Sequence, residues 1–333
     1  MARTSAPSFE PILNDTMNLI PVKITARKQE AQDIVSFELT SVDGAPLAPF
    51  PAGAHVDVEV RPGLVRQYSL CNDPGETHRY LIAVLRDPNS RGGSIGMHDG
   101  LAAGQVIGIS EPKNHFPLVP ASRYLLFAGG IGITPILCMA ERLARIGADF
   151  SMHYCSRSPE RTAFLERIQT SGFADRVVFH FDAGGPEQKL DLPAVLDASP
   201  GAHVYVCGPG GFIDFVRETA KARGWPADAV HQEYFGAAPQ DSTGDAAFEV
   251  KIASTGRVCQ VPPGVSVVQA LAAEGVEITV SCELGVCGTC ITRVLEGTPD
   301  HRDVYFTDEE RAANDQFTPC CSRARSRVLV LDL

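Results

Sequence analysis

The stretch SCELGVCGTC, residues 281 to 290, places Cys282, Cys287 and Cys290 within ten residues. Thiols this dense cross-link the chain, hold zinc, or ligate an iron-sulfur cluster, and each use demands a different loop. Compartment separates the first from the others. The N-terminus, MARTSAPSFEPILNDTMNLI, has no basic region followed by a continuous apolar stretch and no twin arginine, so no secretory signal is read and a reducing cytoplasm is expected. There, cysteines clustered toward one end serve metal or redox chemistry more readily than disulfides. Spacing separates the other two. Structural zinc usually takes two short Cys-x2-Cys hooks, and only one is present. Cys-x4-Cys-x2-Cys followed by a distant cysteine is the plant-type ferredoxin arrangement. The distant ligand is expected in QFTPCCSRARSRVLVLDL, which offers Cys320 and Cys321. Extended chain points adjacent side chains to opposite sides, so only one of them can serve. Gly285 and Gly288 let a loop bring its N–H groups close to bridging sulfides.

A chain of 333 residues is long enough for two or three domains, each with its own core. The formal net charge of −11 argues against a general nucleic-acid binder, which needs a basic face. YLLFAGGIGITPILCMA, from Tyr124 to Ala140, approaches the length of a membrane span, but its central glycines and proline read as strand, loop and helix. GAAPQDSTGDAA, residues 236–247, reads as a linker, which leaves 248–333 as a self-contained small domain. That domain begins with the strands AFEVKIA and RVCQVPPG, continues with a helix over SVVQALAAEG and the cysteine loop, and ends in the strand RVLVLDL. This is the order a ferredoxin β-grasp needs.

Upstream, RYLLFA, FSMHYCS, RVVFHFD and HVYVCG read as strands alternating with helices up to about Ile146, over RTAFLERIQTS and over GFIDFVRETAKARG. The alternation predicts a parallel sheet, whose ligands bind beyond the carboxyl ends of its strands. Two glycine-rich loops lie at those ends. In GGIGITP, Gly129, Gly130 and Gly132 permit close approach of a phosphate, Thr134 is read as a helix cap, and Pro135 suits the first turn. CGPGG, residues 207–211, places the Cys207 thiol and open N–H groups at the same rim. Together the loops suggest a dinucleotide spanning them. A nucleophilic role for Cys207 lacks an accompanying histidine and carboxylate motif.

From Val22 to about Leu118 short strands recur with frequent turns and no long helix, which predicts a small antiparallel barrel. RQYSL offers Arg66 for a phosphate, Tyr68 for a ring system and Ser69 for a ring nitrogen, with strand alternation expected to put Ser69 on the other face. RDPNSRGGSIGMHDG supplies Gly92, Gly93 and Ser94 ahead of a short helix, a second phosphate-binding pattern.

RQYSL, GGIGITP, CGPGGF and SCELGVCGTC with CCSRA, in this order, resemble the phthalate dioxygenase reductase and vanillate demethylase reductase group of the ferredoxin-NADP reductase superfamily. The resemblance runs from about residue 20 to 333. It implies an N-terminal extension (1–19), an FMN-binding barrel (20–120), an NAD(P)-binding α/β domain (121–235), the linker and a 2Fe-2S domain (248–333). By position it implies flavin contacts from Arg66, Tyr68, Ser69 near N5 and Leu70, with Gly92, Gly93 and Ser94 on the flavin phosphate. Gly130, Gly132, Thr134 and Pro135 would hold the dinucleotide, Cys207, Gly208 and Pro209 would lie beside the nicotinamide, and Phe235 in HQEYF would stand close to the flavin. Its cluster ligands would be Cys282, Cys287, Cys290 and Cys320, leaving Cys321 outside the set.

A nicotinamide gives up two electrons together while a cluster accepts one, so a flavin between them must split the pair. The resemblance makes the electron acceptor the Rieske centre of a separate oxygenase. Alternatives are a reductase serving a cytochrome P450 and a redox sensor. NADH is favoured by the resemblance, and NADPH is kept open by Arg157 and Arg161 in YCSRSPER, where no acidic residue awaits a ribose.

Overall fold

The computed structural model of the chain describes residues 19–236 and 243–333. All but Leu19 of the expected N-terminal extension, and residues 237–242 of the expected linker, lie outside the described residues.

Six strands build the first sheet: β1 (Ile20–Ala31), β2 (Ile34–Ser41), β3 (His55–Arg61), β4 (Leu64–Ser69), β5 (Tyr80–Leu85) and β6 (Val106–Ile109). They run antiparallel in the order β4-β3-β6-β1-β2-β5. A bridge between Leu70, just past β4, and Ile82 in β5 joins the two outer strands and closes the barrel. Alternation drives the wrapping: Val22 and Ile24 are fully buried while Lys23 between them is exposed. Helix α1 (Gly93–Gly100) follows β5 on the barrel's rim.

The second sheet is parallel throughout, with β7 (Tyr124–Gly129), β8 (Phe150–Ser156), β9 (Val177–Phe181), β10 (His203–Gly208) and β11 (Val230–Tyr234) in the order β11-β10-β7-β8-β9. Helices α2 (Ile133–Arg145), α3 (Leu165–Gln169), α4 (Leu192–Asp197) and α5 (Gly210–Ala222) connect its strands. Strand order reverses between β7 and β10, which opens a crevice at their carboxyl ends. Both glycine loops lie there. The polar sequence VHQEY conceals β11 from a periodicity reading, as is common for an edge strand. RTAFLERIQTS forms only the five residues of α3. Tyr124–Ala140 is strand, a short 3-10 turn and helix, and among the described residues no helix is long and apolar enough to cross a membrane.

The cap expected of Thr134 is not formed. The N-cap of α2 is Gly132, without a side-chain bond, and Thr134 donates instead to the Ile131 carbonyl at 3.1 Å. Thr134 stands one position past the start of the helix, where its hydroxyl reaches back to a carbonyl and not to the open N–H groups.

The third sheet is the β-grasp: β12 (Phe248–Ile252), β13 (Val258–Val261), α6 (Val267–Ala273), β14 (Thr292–Glu296), β15 (Pro299–Asp300), α7 (Asp308–Ala313), β16 (Gln316–Phe317), β17 (Arg323–Ala324) and β18 (Val328–Leu331). Its order is β13-β12-β18-β14-β16, with β15 pairing β17 beside it. Ser266 and Gln269 cap α6 reciprocally, and Thr307 and Glu310 do the same for α7. Asp245, within the expected linker, is buried and paired with Arg302 at 2.7 Å and Arg323 at 3.3 Å, which ties that stretch to this domain.

The barrel and one face of the parallel sheet share a continuous apolar core, with the Phe116 and Tyr205 rings 5.6 Å apart at the junction. The β-grasp core, including Phe248, Leu271, Phe317 and Leu329, is separate. Polar contacts therefore carry much of its attachment to the barrel.

At the crevice, a Cβ on Gly132 would lie 2.2 Å from the Cys207 carbonyl oxygen and 2.6 Å from the Gly208 nitrogen. Neither neighbour is a flexible side chain. Gly132→Ala is expected to lower unfolding stability by about 1–3 kcal/mol, the usual cost of overpacking, measured by denaturant titration; an unchanged midpoint would show that the two loops can separate freely.

Candidate functional site

A cavity of about 720 Å³ opens where the three sheets meet. That is within the range of roughly 300–1,000 Å³ usual for small-molecule and cofactor sites. The barrel contributes Arg66, Tyr68, Ser69, Arg91, Gly93 and Ser94; the parallel sheet contributes Ile131, Thr134, Glu233 and Phe235; the β-grasp contributes Cys282, Leu284, Val286, Cys287 and Tyr305. Residues far apart in the chain thus wall one space.

On the barrel side, β4 delivers Arg66, Tyr68 and Ser69 to the same cavity, contrary to the alternation expected of them. The ladder ends at Ser69, where the chain turns to bridge Leu70 to Ile82, and the cavity wraps that strand end. Arg66 is folded against the start of α1: a Cβ on Gly93 would lie 2.7 Å from its Cγ. Gly92 adopts φ 91° as the N-cap and offers no side-chain bond, so the first N–H groups of α1 are open to an anion beside the Arg66 guanidinium. A phosphate fits this donor set. Burial pushes the Tyr68 phenol up, so the ring is neutral and suited to packing on a planar apolar ligand. Ser94 accepts from the Asp87 N–H at 3.1 Å, which steadies the loop. Leu70, expected to touch the flavin, has its side chain fully buried in the barrel core and outside the cavity wall.

On the parallel-sheet side, Thr134 and Phe235 reach the cavity, while Gly130, Gly132, Pro135, Cys207, Gly208 and Pro209 form the neighbouring rim. Gly130 has φ 54°. The Cys207 side chain is fully buried and burial pushes its thiol well above the ordinary value, which suits packing and not attack. Arg157 lies exposed beyond β8, outside this cavity, and Arg161 is drawn to Asp33 of the barrel at 3.5 Å.

Glu233 is the residue sequence reasoning missed. It pairs with Cys207 across β11 and β10, its carboxyl lies close to Ser69, and its Oε2 is sealed from solvent without a partner among the described residues. Burial raises its carboxyl to about 8, with Ser69 opposing weakly, so it holds a proton at neutral pH. An acid two residues before Phe235 in HQEYF was the available signal.

In the β-grasp, Cys282 lies within hydrogen-bonding reach of Cys287 and Cys320, and Cys290 within reach of Cys320. These four sulfurs converge. Cys320 and Cys321 lie in a turn closed by the Cys321 N–H on the Thr318 carbonyl at 3.2 Å, not in the extended chain expected. The Cys321 sulfur lies within reach of Cys320 as well, and it also approaches the Thr318 hydroxyl at 3.2 Å, against Gly285. Gly285 and Gly288 hold φ of 72° and 70°, and a Cβ on Gly288 would meet the Tyr305 ring at 2.5 Å. No group of three or more His, Cys, Asp or Glu among the described residues is arranged for a single metal ion. A 2Fe-2S cluster differs from such a site because four thiolates are shared between two irons.

A barrel with a phosphate cradle, a parallel sheet with its switch point beside it, and a four-cysteine β-grasp loop define a modular flavin and iron-sulfur oxidoreductase. Residues 250–325 match the model of the 2Fe-2S iron-sulfur cluster binding domain. Vanillate O-demethylase oxidoreductase of Pseudomonas sp. (strain HR199 / DSM 7063) is 56% identical over 317 residues, covering 95% of this chain and 100% of that protein. The solved structure of phthalate dioxygenase reductase, described as modular for electron transfer from pyridine nucleotides to 2Fe-2S, matches with a TM-score of 0.77 and 42% identity, covering 95% of this chain and 98% of that one. An intact type IV self-sufficient cytochrome P450 monooxygenase matches with a TM-score of 0.80 and 37% identity, over 95% of this chain but 41% of that one. The chain belongs to the family of vanillate O-demethylase oxidoreductase and phthalate dioxygenase reductase.

Because the carboxyl of Glu233 sits at about 8 when folded, against an ordinary 4.5, the folded chain retains a proton that the unfolded chain has lost between those values. Stability must therefore fall as pH rises through that window and level off above it. Glu233→Gln removes the effect. Its melting temperature relative to the unaltered protein is expected to be higher at about pH 9 than at about pH 5; an equal difference at both would mean the carboxyl is not held neutral.

Proposed function

We propose that this protein is the reductase component of a two-component oxygenase or demethylase, passing electrons from NADH through FMN and a 2Fe-2S cluster to a Rieske-type oxygenase. The observation that carries the reading is the single cavity bounded by the phosphate cradle, the carboxyl edge of the parallel sheet, and Cys282 and Cys287. When bound, a flavin supplies the conversion between a donor of electron pairs and an acceptor of single electrons.

The chain's own residues do the holding. Arg66 and the start of α1 take the phosphate, the neutral Tyr68 ring covers the flavin, and Ser69, beside the protonated Glu233, faces the flavin edge. Phe235 guards the side from which a nicotinamide enters, and the glycine loops ending β7 and β10 take the dinucleotide. Cys282, Cys287, Cys290 and Cys320 hold the cluster, supported by the convergence of their sulfurs. The separate β-grasp core and the match over 250–325 support the division into barrel (20–120), nucleotide domain (121–235), linker and 2Fe-2S domain (248–333). Asp33 draws Arg161 away from a nucleotide 2′-phosphate, which favours NADH, while the exposed Arg157 after β8 keeps NADPH as the alternative. The full-length match to a demethylase oxidoreductase favours a separate oxygenase acceptor over a fused haem domain or a sensor role. That likeness also points to an aryl methyl ether demethylase as the acceptor. A reducing cytoplasm suits the assembly of a cluster on free thiols.

Anaerobic titration with NADH, followed by visible spectroscopy and identification of the released flavin, tests the reading. Loss of both flavin and cluster absorbance, with FMN in the extract, is expected. A cluster that stays oxidised, or FAD in the extract, would overturn it.

A further inference from the structure

We propose that Asp57 is a positioning residue for the flavin-to-cluster step: its buried carboxylate holds Ser281 and so keeps the cluster loop docked on the barrel. The inference rests on the electron-transfer reading above and extends it to how the two sites are kept together.

Asp57 lies on β3 with its side chain 1% exposed. One carboxylate oxygen accepts from the Ser281 hydroxyl at 2.8 Å, and the other accepts from Lys113 Nζ at 2.6 Å. Its backbone N–H donates to Ser110 Oγ at 2.9 Å, a hold that lies within the barrel itself. Ser281 is itself buried and immediately precedes Cys282. Lys113 is 42% exposed and has water available, whereas the oxygen facing Ser281 has no other donor among the described residues. A carboxylate placed on the inner part of a strand is costly unless paired and hydrogen-bonded, and here half of its pairing comes from the other domain.

The next two residues of the loop are gripped from the same side. Arg91 donates to the Cys282 carbonyl at 3.0 Å, and Glu283 is drawn to Arg66 at 3.4 Å and Arg91 at 3.7 Å. Glu283 holds φ 54°, a left-handed conformation uncommon for a residue with a Cβ. The His115 ring stands edge-on to Tyr305 at 6.4 Å, beside Gly288. Because the apolar cores do not join, these contacts to consecutive residues 281–283 carry the docking. Of them the Asp57–Ser281 bond is the most shielded from water, and so the least screened.

With a flavin and a cluster held by these residues, the step would pass one electron between the two sites, with no bond made or broken. Its rate falls steeply with separation, so a loop that undocks is a loop that waits. A hydrogen bond to a charged group is worth enough that its removal should shift the docked-to-undocked ratio by about tenfold or more.

The test uses the full-length, cofactor-loaded protein with Ser281→Ala, Asp57→Asn and the double variant. Amide hydrogen exchange across residues 281–288 is measured without NADH, and rapid mixing with NADH follows flavin and cluster absorbance separately. Each single variant is expected to raise loop exchange by about tenfold while the β12–β18 sheet stays protected, and to slow cluster reduction without slowing flavin reduction. The double variant should be little worse than Ser281→Ala alone, since Ser281→Ala removes the bond that Asp57→Asn weakens by taking away its charge. If Ser281→Ala disturbs cluster assembly, Asp57→Asn leaves the β-grasp sequence intact and carries the test. Unchanged loop exchange, or fully additive losses in the double variant, would overturn the proposal. Failure of NADH to bleach the flavin of the unaltered protein would instead overturn the electron-transfer reading, with the docking still judged by exchange.

Discussion

Three separately wound sheets have to present their edges to one cavity of about 720 Å³, and the architecture follows from that requirement. The barrel and the parallel sheet meet it by sharing an apolar core, which fixes the phosphate cradle relative to the switch point between β7 and β10. The β-grasp meets it differently. Its core is closed on itself, and its cysteine loop reaches the cavity through hydrogen bonds and ion pairs to the barrel. An apolar seam gives a rigid pair, whereas a polar seam of few bonds gives a domain whose docking is adjustable.

Two buried acids mark the ends of the proposed electron path, and their environments set opposite charges. Among the described residues Glu233 has no cation and one of its oxygens has no partner, so burial keeps it protonated beside Ser69. Burial also pushes the Asp57 carboxyl up, but bonds from Lys113 and Ser281 outweigh it and leave it below the ordinary value, hence ionised. The difference lies in the donors each fold element supplies. One acid holds a proton where a flavin edge is expected, and the other uses its charge to secure a loop.

Much of this was legible in the sequence because the decisive signals are local. Cysteine spacing, the glycine loops after apolar strands, and the strand-rich first third each report on a few consecutive residues, and the sheets formed where those patterns stood. Helix α7 carried a readable capping signal in TDEE, yet with six residues it shows too little apolar periodicity to stand out. Strand β11 was hidden because an edge strand need not alternate. What the sequence could not show were pairings between distant residues: Ser69 with Glu233, Asp57 with Ser281, Arg161 with Asp33. The facing of Ser69 failed for a related reason, since strand alternation says nothing about where a ladder ends.

The central claim is that one cleft holds the flavin between the nicotinamide edge and the four-cysteine loop. Iron-edge anomalous diffraction from crystals of the cofactor-loaded protein tests it most directly. The structure predicts two adjacent iron peaks among Cys282, Cys287, Cys290 and Cys320, with flavin density in the cleft between Arg66 and Phe235. Iron bound through Cys321 in place of Cys320, or flavin density outside that cleft, would contradict it.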